Sequence, residues 1–179
     1  MINKKTRFVE LTFFILIFSL LSASFVSAES PRCEVTTPAN CNTLKGDVIM
    51  RLSSTTNAHG ATSSETLYPQ VLCCVNFEEG LGTTCTGNNT LLRLSSSTNA
   101  HTEIPIFSNY STNICYEGFF DPDEENACYQ TQLTELCGAD EIETVYLSDL
   151  EKAHLGNTAF SRGAKICCRV KPPQQYCQL

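Results

Sequence analysis

The chain contains no tryptophan, only two methionines and three histidines, and charged residues make up 17% of its 179 positions. Basic residues are scarce: 12 Lys and Arg face 19 Asp and Glu, a formal net charge of -7 that excludes an electrostatic nucleic-acid binder. Low charge beside 42% hydrophobic residues also argues against a disordered tail. No Gly-x-Ser-x-Gly, His-Glu-x-x-His or phosphate-binding glycine loop occurs, so the common routes to hydrolase and nucleotide chemistry are missing.

What is present begins with an export signal. Lys4, Lys5 and Arg7 precede an apolar run over 11–21, and Val26 and Ala28 stand at the -3 and -1 positions of a peptidase site before Glu29. The run is short and diluted with serine for a membrane span. Cleavage after Ala28 is expected, leaving 151 residues of net charge -9 and no membrane segment. All 11 cysteines lie in that mature part, where an oxidising environment makes each a disulfide partner before a metal ligand or nucleophile.

One segment recurs. Residues 51–59 read RLSSTTNAH and residues 93–101 read RLSSSTNAH, identical at eight of nine positions. A looser third copy holds Leu147, Ser148, Ala153 and His154, with the same seven-residue step from Leu to His. His59 and His101 each precede a cysteine, Cys73 and Cys115, by 14 residues, and His154 precedes Cys167 by 13. Tyr68 and Tyr110 stand five residues before the closing cysteine, where the third copy has Arg162. Each copy reads as a β-prone run (48–52, 90–94, 144–147), a Ser/Thr-rich turn with room for one helical turn, and a second β-prone run (71–75, 114–116, 166–170). The fold class expected is therefore all-β: three small disulfide-rich units in tandem, at 29–75, 85–116 and 128–169, with a C-terminal tail at 170–179.

The middle unit bears on the cysteine pairing. It keeps Cys85 and Cys115, has Tyr116 where the others carry a second vicinal cysteine, and lacks a counterpart of Cys33 and Cys128. Loss of both members of one bond leaves no orphan thiol, which favours Cys33–Cys74, Cys41–Cys73, Cys85–Cys115, Cys128–Cys168 and Cys137–Cys167. Adjacent strand residues face opposite sides, which suits different partners for Cys73 and Cys74. Each closed loop contributes roughly 3–4 kcal/mol in the chain-entropy view, which a unit of about 40 residues needs. Cys177 is left over and is expected to link the chain to another copy or to a surface partner.

The run Leu-Ser-Ser-Thr-Thr-Asn-Ala-His, followed by a tyrosine and a closing Cys-Cys or Cys-Tyr, resembles a Cys-rich tandem repeat of uncharacterised secreted proteins, associated mainly with archaeal cell surfaces. The likeness covers 41–75 and 85–116 well and 137–169 loosely, where Asp149 to Lys152 replace the Ser/Thr-Thr-Asn stretch. It implies an exported surface protein and carries no activity with it.

Three groups of side chains invite a chemical reading. His59, His101 and His154 would suit zinc or copper if they converged on an axis. The competing reading makes each a local turn residue bonded to backbone, and recurrence favours it, because one shared metal would not require the accompanying Leu-Ser and Ala. Asp121, Asp123 and Glu125, with Glu124 beside them, offer hard oxygens to calcium, but the loop lacks the glycine and distal glutamate of an EF-hand and reads better as a solvated acidic linker. Asn88 and Asn109 sit in Asn-x-Ser/Thr sequons and are candidates for glycosylation. No catalytic residue, cofactor or resident metal is expected.

The sequence thus points to a non-enzymatic extracellular structural or adhesion component, secreted or at the cell surface, contacting protein or glycan and neither nucleic acid nor membrane. Its rivals are a secreted binding module or inhibitor acting on a foreign protein or glycan, and an exported histidine-based metal-binding protein.

Overall fold

The computed structural model describes residues 29–77, 82–123, 125–157 and 163–171. The expected leader at 1–28, Glu124, Arg162 and Cys177 lie outside them. Twelve elements follow in chain order: β1 (Arg32–Thr36), α1 (Pro38–Thr43), β2 (Asp47–Leu52), β3 (Gly60–Thr62), β4 (Gln70–Val75), β5 (Thr90–Leu94), β6 (Thr102–Glu103), β7 (Thr112–Cys115), β8 (Cys128–Gln132), β9 (Glu141–Leu147), β10 (Leu155–Gly156) and β11 (Ala164–Arg169). Strands predominate, as composition and patterning require, and no helix among the described residues is long and apolar enough to cross a membrane.

The strands form three antiparallel sheets, in the orders β1-β4-β2-β3, β7-β5-β6 and β8-β11-β9-β10. In each, an opening strand ending in the recurrent leucine pairs on one side with a short strand and on the other with the strand carrying the closing cysteine. β1 and β8 add an outer strand to the first and third sheets, and these strands bear Cys33 and Cys128, the cysteines absent from the middle segment.

Each opening strand bulges at the same place. The register shifts between Val48 and Met50 in β2 and between Thr90 and Leu92 in β5, and the corresponding shift in the third sheet falls opposite Ile166, leaving extra residues on β9. A bulge turns two consecutive side chains inward. Ile49 with Met50, Leu91 with Leu92, and Thr144 with Val145 are accordingly all buried, so the first two strands read as apolar doublets rather than as strict alternation.

The helix of α1 falls outside the Ser/Thr-rich turns. Pro38 opens it, the Thr37 side chain accepts from the Asn40 amide at 3.2 Å, and Lys45 and Gly46 close it. Gly46 is required there: a Cβ would lie 2.5 Å from both Cys73 Sγ and Val75 Cγ1. The turns are non-helical because each folds back into a strand within a few residues. All five cysteine pairs expected from the middle unit stand at bonding distance, with Cα separations of 4.0 to 5.7 Å. Cys41–Cys73 ties α1 to the outer face of β4 over a small cluster with Val71 and Val75.

One hydrophobic core joins all three sheets, taking Met50, Leu52 and Leu72 from the first, Leu92, Leu94 and Ile114 from the second, and Val145, Leu147 and Ile166 from the third. The stretches between sheets belong to it. Phe77 and Phe119 pack edge-on against Tyr116 at 5.0 and 5.1 Å. The stretch before the acidic loop is sewn down, since Phe119 bridges Val170 and Phe120 N donates to Arg169 O, and within the loop Asp121 is buried while Asp123 and Glu125 are exposed to solvent.

Candidate metal centre

The three recurrent turns meet in a closed ring. Ala58 and Leu155 exchange backbone hydrogen bonds of 2.8 and 2.9 Å, Gly60 and Ala100 exchange 2.8 and 3.0 Å, and Thr102 and Ala153 exchange 3.0 and 2.9 Å. Every histidine is preceded by an alanine of this ring, whose small side chain fits where the three turns meet. Ala58, Ala100 and Ala153 are fully buried and face the core. Because extended residues alternate sides, the next residue faces away from it. That residue is His59, His101 or His154.

The recurrent Leu and Ser, and the residue two before each histidine, serve this frame. Leu52, Leu94 and Leu147 are fully buried anchors. Ser53, Ser95 and Ser148 lock each turn: the serine hydroxyl accepts from the histidine amide at 2.9, 3.1 and 2.9 Å, and the serine amide donates to the histidine carbonyl at 3.0 Å in all three. Asn57, Asn99 and Lys152 adopt left-handed φ of 49°, 50° and 50°, which Asn tolerates better than most residues.

The outcome is a cluster of three half-buried imidazoles, each offering a ring nitrogen within 4.8 Å of the others. Ring centroids are 4.9 to 5.2 Å apart, with His101 and His154 parallel and His59 edge-on to both. Zinc bound tetrahedrally at about 2.1 Å sets nitrogens about 3.4 Å apart, so the rings must draw closer to share one ion.

Two of the rings are also oriented. His59 Nδ1 lies 2.5 Å from Asn99 Oδ1, and His154 Nδ1 lies 2.5 Å from Asn57 Oδ1. An amide oxygen only accepts, so Nδ1 carries the proton and Nε2 keeps its lone pair for a ligand. Burial first, then the neighbouring His59 and His101, hold the His154 imidazole below the usual histidine range, favouring the neutral form that a metal requires. Tyr68 extends the network, its hydroxyl 3.5 Å from Asn99 Oδ1.

The turn-residue reading expects each ring to bond local backbone, and among the described residues no histidine ring does so. The local role falls to the serines, while the His59 and His154 rings bond to asparagines 40 and 97 positions away in sequence. The Leu-Ser and Ala residues that weighed against a shared site are the frame that brings the histidines together. Sequence reading missed Asn57 and Asn99 as orienting groups, although their place two residues before His59 and His101 was a visible signal.

The other candidates lie elsewhere. Asp121 is almost wholly buried and accepts from Arg169 Nη1 at 2.8 Å, with its other oxygen on the Asp123 amide at 2.9 Å. Its carboxylate is therefore committed to the fold, and among the described residues no acidic group joins Asp123 and Glu125 in a metal-sized cluster. Asn88 Nδ2 donates to Asp121 O at 3.1 Å and Asn109 Nδ2 to the buried Glu103 at 3.1 Å, so both sequon amides hold loops in place.

Comparison with protein-family models, with curated proteins and with solved structures finds no match to the chain. The class of protein is defined by its own features: a disulfide-stapled all-β scaffold with three histidines gathered at one end of its core.

Proposed function

We propose that this is an exported metal-binding protein, in which three tandem copies of one stapled β unit hold a single zinc or copper ion among His59, His101 and His154. The convergence of three imidazoles from segments 42 and 53 residues apart in sequence carries this reading. Imidazole suits zinc and copper, both borderline in softness, better than calcium or magnesium. Five cysteine pairs support an oxidising destination, secreted or at the cell surface. The same stapling suits a structural or adhesion component, a reading that concerns where the chain works, whereas the histidines concern what it binds.

The test is metal analysis of exported, oxidised protein after exposure to zinc or copper and dialysis. One ion per chain is expected, lost in His59→Ala, His101→Ala and His154→Ala proteins whose circular dichroism is unchanged. Absence of binding, or equal retention by the triple variant, would overturn the proposal.

A further inference from the structure

Resting on the metal reading above, we propose that the loaded centre keeps its fourth coordination position open and takes a small anion there, with Lys152 as the accompanying cation.

The openness follows from the surroundings of the cluster. Among the described residues no Cys, Asp or Glu joins the three histidines, and the Asn57 and Asn99 oxygens are already bonded to ring Nδ1 atoms, so solvent is the source left for the last ligand of a four-coordinate ion. The core side is closed. A Cβ on Gly60, within the ring of turns, would meet Met50 Cε and Leu94 Cδ2 at 3.0 Å and Leu155 Cδ1 at 3.2 Å, so apolar side chains fill that side. On the other side stand Asn57, Asn99 and Lys152, all exposed. An incoming ligand therefore arrives from solvent, past these three residues.

Charge selects what arrives. Three neutral imidazoles leave the full charge of a divalent ion uncompensated, and an anion at the vacant position offsets it where water does not.

Lys152 follows from the order of the ring. Asn99 orients His59 and Asn57 orients His154. The third turn, carrying Lys152 at the same left-handed position, pairs through Ala153 with Thr102, next to His101. Two of the three equivalent turn positions thus set an amide oxygen on a histidine ring, and the third carries a lysine, whose ammonium can only donate. No ion pair to Lys152 occurs among the described residues, so neither Asp149 nor Glu151 on the same turn holds its ammonium. An amide there would serve metal orientation best; a cation serves a negatively charged ligand.

Cobalt(II) replaces zinc with a visible spectrum that reports its ligands, and azide is the probe. Full-length exported protein should take up one cobalt and shift its spectrum saturably on adding azide. Lys152→Ala should keep the cobalt and weaken azide about threefold, the effect of one solvent-screened charge a few ångströms away, with the difference fading at high salt. Lys152→Asn should weaken azide similarly while binding cobalt more tightly. A spectrum indifferent to azide at full cobalt occupancy would show a closed centre, overturning this inference but leaving the metal site standing. Unchanged azide affinity in both variants would remove Lys152 from it. Failure of the unsubstituted protein to bind cobalt would defeat both proposals.

Discussion

Tyr116 donates its hydroxyl to Asp47 Oδ2 at 2.9 Å, joining the end of β7 to the start of β2. Tyr116 stands where the other two sheets have the second cysteine of a vicinal pair, so the middle segment exchanges a covalent staple for a half-buried hydrogen bond to its neighbour. The ring is fully buried and packs between Phe77 and Phe119. Burial, then the bond to Asp47, raises the phenol far above the usual tyrosine range.

Tyr116→Phe keeps the packing and deletes that bond. Hydrogen bonds to charged groups are worth about 1.5–3 kcal/mol, and the Asp47 carboxylate is left without its partner. Denaturant titration of oxidised protein should show a loss of that size with an unchanged slope. A loss below about 0.5 kcal/mol would mean that solvent replaces the hydroxyl readily.

Lys152→Asn tests the strain in the third turn. A non-glycine residue in the left-handed region costs about 1–2 kcal/mol, and Asn recovers part of this through local hydrogen bonding. The substitution also supplies a third amide oxygen beside the histidines. Metal-free protein should gain about 0.5–1 kcal/mol by thermal unfolding, and no gain would show that Lys152 relieves the strain through contacts of its own.

The all-β class and the cysteine pairs were legible because a repeated sequence with one deficient copy carries its own internal control. Strands β1 and β8 were less so: RCEVT and CYQTQ lack strong alternation, and they form because Cys33 and Cys128 sit directly opposite Cys74 and Cys168 in register. The helix at Pro38–Thr43 had a visible Thr-Pro start but is too short for an apolar period. The site was half legible. Local sequence identifies three equivalent histidines, yet nothing in a linear repeat says whether its copies lie in a row or close into a ring. The ring depends on reciprocal bonds between alanine turns remote in sequence, and only closure turns three equivalent residues into one cluster.

Alkaline pH should expose two surface phenols. Tyr129 is pushed up to about 12, first by its bond to Glu141 and then by burial, and Tyr146 to about 12 by its bond to Glu143 and then by burial. A phenol raised in the folded state contributes stability that is present below its unfolded value near 10 and lost as pH rises from there towards 12. Spectrophotometric titration should show one fewer phenol ionising near 12 in each of Tyr129→Phe and Tyr146→Phe. The stability of these variants should fall less steeply than that of the parent between pH 10 and 12. Titration of both residues near 10 would mean that the carboxylate bonds do not persist in solution.

Metal should stabilise the fold, since the ring exists only when all three sheets are assembled. A ligand that binds only the native state at 100 times its dissociation constant adds about 2.7 kcal/mol, or roughly 5–10 °C for a domain of this size. Saturating zinc should therefore raise the melting temperature of oxidised protein by that amount, and a chelator should reverse it. The Ser95→Ala protein separates frame from ligand. It keeps every imidazole but loses the hydroxyl that accepts the His101 amide at 3.1 Å, so its metal-free form should be less stable by about 1 kcal/mol. If the serines fix the histidines in place, Ser95→Ala should also bind zinc more weakly, because part of the binding energy must then re-form the turn. Equal zinc affinity in Ser95→Ala and the parent would mean that the imidazoles reach the ion without help from the turn lock, and the frame would be structural alone.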